Sequence, residues 1–221
     1  MLDFHNTAHS DHIGQVPFPD KQGFIDSWAS LLRDLAVVPE VKGKLMVDLV
    51  NEPDQYGIRW ERNKTVGLGE LYLDAFDVLH PICPDCLLMV EGTGQSPLGL
   101  TWGTGLVIDD FWIQNKSLSD PRPFLDQLVT KPYVNQIVIT PHIYCPSVTE
   151  ATKDLCYAGE ALWYHLDLGA GYLSAEGYCA LGQGPCHKFP VLTGEFAVQF
   201  HSKNTTGDNE ERECWMPLLP T

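Results

Sequence analysis

Two glutamates in this 221-residue chain each close a short apolar run: Glu52 in Val-Asp-Leu-Val-Asn-Glu-Pro at residues 47–53, and Glu195 in Pro-Val-Leu-Thr-Gly-Glu-Phe at residues 190–196. Such runs read as buried strands, and parallel α/β architectures place their chemistry at the carboxyl ends of their strands. Two carboxyl groups delivered to that edge from separate strands meet the needs of retaining glycoside hydrolysis. One protonates the departing oxygen and the other attacks the anomeric carbon, with the pair roughly 5–5.5 Å apart. Glu52 reads as the acid/base, with Asn51 beside it to hold a substrate hydroxyl and Pro53 turning the chain out of the strand. Glu195 reads as the nucleophile. Taken singly, each has a plainer reading: Asn-Glu-Pro is also an ordinary strand-to-helix turn, and a glutamate at a strand end is commonly just solvated.

A third element raises both. In Thr140-Pro141-His142-Ile143-Tyr144, His142 and Tyr144 are two residues apart and share one side of an extended chain. A phenol and an imidazole there can hydrogen-bond a nucleophilic carboxylate and a sugar, against the alternative of a core histidine and a packed tyrosine. Trp102 and Trp112 are the better candidates for stacking on sugar rings, with Tyr56 and Trp60 next; a buried aromatic is the competing reading for each. His5, His9 and His12, with Asp3 and Asp11, have the makings of a metal cluster, although a solvated polar loop is favoured, and no metal or other cofactor is expected.

The elements that must position these residues follow from hydrophobic spacing. Strands are expected at 1–5, 44–50, 87–91, 135–143 and 190–196, and apolar positions 24, 25, 28, 31, 32 and 35 predict a helix. A second helix is expected over about 69–80, with Leu71, Ala75, Phe76 and Leu79 on one face before Pro81 and Pro84, and another over 157–168. Strand alternating with helix implies an α/β fold with a parallel sheet, either a (β/α) barrel or an open doubly wound sheet. No Gly-rich phosphate loop is present, which favours the barrel. The segments 6–23, 92–134 and 145–156, rich in Gly, Pro, Ser and aromatics, are where such an enzyme would build its cleft. The chain is expected to form one domain over 1–221.

With 14 Lys and Arg against 29 Asp and Glu, the formal charge of −15 argues against nucleic acid or an anionic membrane as partner and is compatible with a neutral sugar. No run has the length of a membrane span, and the N-terminus lacks the layout of a signal peptide. Seven cysteines and three glycosylation acceptors, at Asn63, Asn115 and Asn204, nevertheless favour an extracellular, oxidising setting. Cys83-Pro-Asp-Cys86 has metal-knuckle spacing, and Cys186-His187 offers a distant second half, but the usual second pair is missing and disulfides are favoured. Proximity suggests Cys145 with Cys156 and Cys179 with Cys186, leaving an odd cysteine. The sequence leaves the oligomeric state open.

The order of these motifs resembles glycoside hydrolase family 5, the cellulase family of (β/α)8 TIM barrels, over nearly all of residues 1–216. Leu2-Asp3-Phe4-His5-Asn6 resembles that family's third strand, Val47 to Pro53 the fourth, Leu88-Met89-Val90-Glu91-Gly92 the fifth, Pro141 to Tyr144 the sixth and Leu192 to Phe196 the seventh. The resemblance implies Glu52 as acid/base, Glu195 as nucleophile, and His5, Asn51, His142 and Tyr144 as their supports. It implies no cofactor. The family's first two strands, with a supporting arginine, and its eighth strand, with a tryptophan, have no counterpart here; Trp215 lies in what reads as the seventh helix. About strands 3 to 7 are therefore expected, an incomplete barrel from a fragment or a truncated gene product. The expected activity is cellulase-like endo-hydrolysis of a β-1,4-linked polysaccharide, β-mannan or another β-glucan being alternative substrates. An inactive sugar-binding or structural remnant is the alternative from another class.

Overall fold

The structure is a computed structural model that describes residues 1–4, 20–62, 66–144, 164, 166–180 and 184–197. Strands β1 (Leu2–Asp3), β2 (Met46–Asp48), β3 (Leu87–Val90) and β4 (Ile137–Ile139) pair in that order, every neighbour parallel. β5 (Ile143–Tyr144) pairs in parallel with β6 (Phe196–Ala197), and a parallel bridge from Ile139 to Val191 links the two ladders. Neighbouring strands follow sequence order with helices between them, so the strands form an arc of a (β/α)8 barrel rather than a doubly wound sheet, whose order would reverse.

Four of the five expected strands are found in shortened form; of the run expected at 190–196 only Phe196 is strand, with a single bridge at Val191, so Glu195 precedes β6 rather than closing a strand. The run expected at 135–143 divides, because residues 134–136 form a 3-10 turn and Pro141 has no N–H to continue the ladder. Helix α1 spans Lys21–Ala36, its first turn capped by the Asp20 side chain, which accepts from the Gly23 amide at 2.9 Å. It buries Ile25, Trp28, Ala29 and Leu32, whereas Leu31, expected on that face, is 42% exposed. α2 (Leu68–Leu79) buries all four predicted apolar positions. The helix expected over 157–168 falls mostly outside the described residues; a π-helical turn at Asp167–Gly171 leads into α5 (Tyr172–Ala175).

The segment 92–134 is more ordered than a cleft-building loop. It carries α3 (Asp110–Lys116) and α4 (Arg122–Leu128), and it is tied to itself by the buried Gln95 side chain. Gln95 Nε2 donates to the carbonyls of Val107 and Ser119, both at 2.9 Å, and Oε1 accepts from the Val107 amide at 2.8 Å.

Two expected sugar-stacking aromatics belong to the core instead. Trp60 is 4% exposed, stacks on Phe124 at 5.1 Å and donates Nε1–H to the Gly105 carbonyl, and Tyr56 is 6% exposed. Desolvating such large rings is a major part of core energetics, and an aromatic with its polar edge satisfied indoors has no reason to face a ligand. Cys83 and Cys86 form a disulfide, the favoured alternative to a metal knuckle, and Cys179 pairs with Cys186 as their proximity suggested. Cys145 and Cys156 lie outside the described residues, as do His9, His12 and Asp11.

Candidate active site

The chain leaves β2 and reaches Glu52 in a left-handed conformation, φ 46° and ψ 62°, before Pro53 begins a 3-10 turn over Pro53–Tyr56. The strand-to-helix-turn reading of Asn-Glu-Pro is thus correct as local structure. A non-glycine residue held in this region costs on the order of 1–3 kcal/mol and persists only where its surroundings enforce it. Here the Glu52 amide donates to Glu91 Oε2 at 2.9 Å. The Glu52 carboxyl is gripped as well: Oε1 lies 3.0 Å from His142 Nδ1 and 3.2 Å from the Tyr144 hydroxyl, and Oε2 accepts from Gln55 Nε2.

His142 and Tyr144 reach one side of the barrel by different routes. The His142 amide donates to the Trp102 carbonyl at 3.0 Å, while Tyr144 lies in β5. Gly194 makes room for the imidazole, since a Cβ there would stand 3.0 Å from His142 Nε2. That explains a glycine immediately before Glu195.

The Tyr144 hydroxyl donates to Glu195 Oε2 at 2.5 Å. A phenol has one proton, so its lone pairs, rather than its hydrogen, face Glu52. Burial, and then the hydrogen bond to Glu195, push the Tyr144 pKa upward, so it stays a donor across any ordinary pH range. Ligand atoms of Glu52, His142 and Glu195 lie within 4.8 Å of one another, which brings the two predicted carboxyl groups together. Their side-chain exposures differ, 8% for Glu52 and 37% for Glu195, so Glu195 is the more open to an arriving molecule. The same three side chains have the spacing to hold a metal ion.

Sequence reasoning missed a layer of acids beneath this pair. Glu91, at the end of β3, is fully buried, and its carboxyl is hydrogen-bonded to that of Asp48 on β2, so one of the two carries a proton. Burial raises both; Asp48 is pushed up to about 7, and Glu91 rises well above its ordinary range, with the Asp48 charge adding to the effect. Asp54 was missed too. It accepts from the Trp102 and Gly103 amides at 3.0 and 3.3 Å, and burial raises its pKa. A signal existed for Glu91: Leu87 to Val90 followed by a glutamate repeats the apolar-run-then-carboxyl pattern that singled out Glu52.

Of the other predicted residues, Trp102 belongs to the site. Its ring meets Tyr144 edge-on with centroids 5.6 Å apart, and its φ of 52° turns the chain there. Trp112 is placed on α3 with its ring against Phe111 at 5.1 Å, and none of its described contacts reaches the carboxyl pair. Asn51 is 3% exposed, and its amide donates to the Phe4 carbonyl. His5 lies outside the described residues.

Comparison with known proteins bears on this geometry. The sequence profile described as "Cellulase (glycosyl hydrolase family 5)" matches residues 1–220. Among solved structures, the chain is similar to a cellulase–inhibitor complex, with a TM-score of 0.57 and 19% identity over 86% of this chain and 49% of that one. It is similar as well to an endocellulase from Pyrococcus horikoshii in complex with cellotetraose (TM-score 0.56, 19% identity, 86% of this chain and 49% of the other). A third likeness is to the catalytic domain of the major endoglucanase from Xanthomonas campestris pv. campestris (TM-score 0.51, 17% identity, 84% and 47%). The chain spans about half the length of these structures. No curated protein matches it.

Proposed function

Because this chain belongs to the cellulase family, glycosyl hydrolase family 5, we propose that it hydrolyses a β-1,4-linked glucan with retention of anomeric configuration. The observation that carries this reading is the approach of Glu52 and Glu195, whose ligand atoms fall within 4.8 Å of one another. That proximity fits the close pair of a retaining site, roughly 5–5.5 Å apart, in which one carboxylate attacks directly. A cellotetraose-bound endocellulase among the similar structures supports a β-glucan as the ligand.

In the first step a Glu195 carboxylate oxygen bonds to the anomeric carbon as the glycosidic C–O bond breaks, and Glu52 gives its proton to the departing oxygen. The hydrogen bond from Tyr144 occupies Glu195 Oε2, which leaves Oε1 to attack. In the second step Glu52, now ionised, takes a proton from water, the water oxygen bonds to the anomeric carbon, and the Glu195 ester is released. Trp102, edge-on to Tyr144, offers a ring beside the cleaved sugar. Asn51 is assigned to a substrate hydroxyl. The two disulfides support an extracellular working place.

Reducing-end release from a soluble β-1,4-glucan, measured beside the Glu195→Gln variant, tests the assignment. Release by the parent that vanishes in the variant is expected. Release that persists in the variant, or that is absent from the parent while polysaccharide still binds, overturns it in favour of a non-catalytic sugar-binding protein.

A further inference from the structure

Glu91 takes no part in the double displacement, yet it is the most completely enclosed acid of the site, at 0% exposure. Burying a carboxyl group costs several kcal/mol unless it is neutralised or well bonded, so its position calls for a physical reason. Its contacts provide one. Oε2 accepts from the Glu52 amide at 2.9 Å, and Oε1 lies 3.5 Å from His142 Nε2, while the other nitrogen of that ring, Nδ1, lies 3.0 Å from Glu52 Oε1. Glu91 thus bonds Glu52 directly at the backbone, while its second oxygen, buried without a hydrogen-bond partner, is aimed at the imidazole that touches the Glu52 carboxyl.

The Glu91 backbone is itself anchored. Its amide donates to the Tyr72 hydroxyl at 3.1 Å, and that hydroxyl donates to the Glu91 carbonyl at 3.4 Å. The chain crossing above the carboxyl is Gly103 at φ +77°, where a Cβ would stand 2.5 Å from Glu91 Oε2. A glycine there lets the backbone close over the carboxyl.

Resting on the retaining reading above, we propose that Glu91 is a positioning residue for the general acid, one carboxyl that clamps the strained Glu52 backbone and backs the imidazole that touches the Glu52 carboxyl. The groups facing it from each packed element are Asp48 on β2, Tyr72 on α2, Glu52 and His142, with Asp3 on β1 acting on it through Asp48. Desolvation and the neighbouring Asp48 carboxyl keep the proton on Glu91. A neutral Glu91 has one carbonyl oxygen for the Glu52 amide and no charge to draw a proton from His142.

The glutamine variant is isosteric with that neutral form, whereas aspartate keeps the acid and withdraws it by one methylene from both contacts. Misplacement of about an ångström costs roughly 100-fold where geometry sets the rate, and general acid catalysis contributes roughly 10²–10⁴-fold. Hydrolysis of two β-cellobiosides, one with a phenol leaving group that needs the acid and one with 2,4-dinitrophenol that does not, therefore separates positioning from general damage. Glu91→Asp is expected to lose roughly 10–100-fold in kcat/KM on the phenyl substrate and less than about 3-fold on the dinitrophenyl one. Glu91→Gln, which keeps the length and an oxygen for the Glu52 amide, is expected to recover most of that phenyl-substrate loss relative to Glu91→Asp.

Equal losses on the two substrates in Glu91→Asp, no loss in it, or a glutamine variant as impaired as the aspartate one would overturn the proposal. Parent and Glu195→Gln are run alongside. A parent inactive on both substrates, or an active Glu195→Gln, removes the retaining reading and this proposal with it. A parent and Glu195→Gln that behave as expected, combined with no leaving-group dependence in Glu91→Asp, remove the proposal for Glu91 alone.

Discussion

Replacing Asp48 with asparagine is expected to stabilise the protein at alkaline pH and to leave it nearly unchanged at acid pH. Asp48 is 2% exposed on β2, and its pKa rises from 3.8 to about 7. Burial is the main cause, opposed by the hydrogen bond from Glu91, reinforced by the Asp3 charge and relieved by His142. A carboxyl whose folded-state pKa lies above its unfolded one holds its proton more tightly in the native state. Its contribution to stability is therefore fully present below the unfolded value of 3.8 and is lost as pH rises through about 7. Three pH units at ~1.4 kcal/mol each give a ceiling of ~4 kcal/mol, a large share of a typical folding free energy of roughly 5–15 kcal/mol. Glu61 and Glu70 act in the opposite sense, since their pKa values are lowered and their stabilisation is lost on acidification. Comparing parent with variant cancels those two. Urea unfolding at about pH 4 and about pH 8 should show Asp48→Asn gaining ~2–4 kcal/mol on the parent between the two conditions. A free-energy difference between the two proteins that is the same at both pH values, or that moves the other way, would refute the assignment of Asp48 as a group ionised against its surroundings.

Two further outcomes follow from single side chains. Tyr144→Phe removes the proton donated to Glu195 Oε2 at 2.5 Å; a bond to a charged acceptor is worth about 1.5–3 kcal/mol, so kcat/KM should fall roughly 10–100-fold with the unfolding midpoint nearly unmoved. A rate within about 3-fold of the parent would show that the bond does not serve the reaction. Gln95→Leu keeps the volume near its present value but orphans the Val107 amide and the Val107 and Ser119 carbonyls. At about 1–3 kcal/mol per unsatisfied buried group, the three orphans should shift unfolding by roughly 3–9 kcal/mol, and a loss below about 1 kcal/mol in a urea titration would sink that account.

The elements and the principal acids were legible because their causes are local. Apolar spacing at 3.6 residues marks α1 and α2, and an apolar run closed by a carboxyl marks Glu52; the same pattern picked out Glu195, although its run forms one bridge and the strand begins only after it. Where three-dimensional packing decides, the reading failed. Leu31 sits at a helical apolar position yet faces solvent, because the buried stripe of α1 runs through Ile25, Trp28, Ala29 and Leu32. Trp60 and Trp102 are alike in sequence as aromatics in irregular segments, and only the stacking of Trp60 on Phe124 separates a core ring from a site ring. The Cys83–Cys86 disulfide has the spacing of a metal knuckle, and spacing alone does not distinguish the two. Glu91 was passed over although it shares the signal of Glu52, because the pattern cannot tell which carboxyl will face substrate and which will be enclosed.

The enclosed acids follow from how the chain distributes its cations. Among the described residues, the Lys and Arg side chains that form ion pairs, Lys21, Arg59, Arg62, Arg122 and Lys131, pair with acids of α2, α3 and the connecting segments. Among the described residues, one basic group stands within salt-bridge distance of Glu52, Glu91 and Glu195: His142, common to all three. Several carboxyls around a single imidazole in a low-dielectric interior cannot all ionise. The cluster must therefore retain protons, and burial decides where: the deepest acid, Glu91, is pushed well above its ordinary range, while Glu195 is the most open to solvent. An arginine or lysine placed in the inner layer would let Asp48 and Glu91 ionise, so the absence of such a partner beside Glu91 among the described residues is part of what keeps the carboxyl beneath the Glu52 amide neutral.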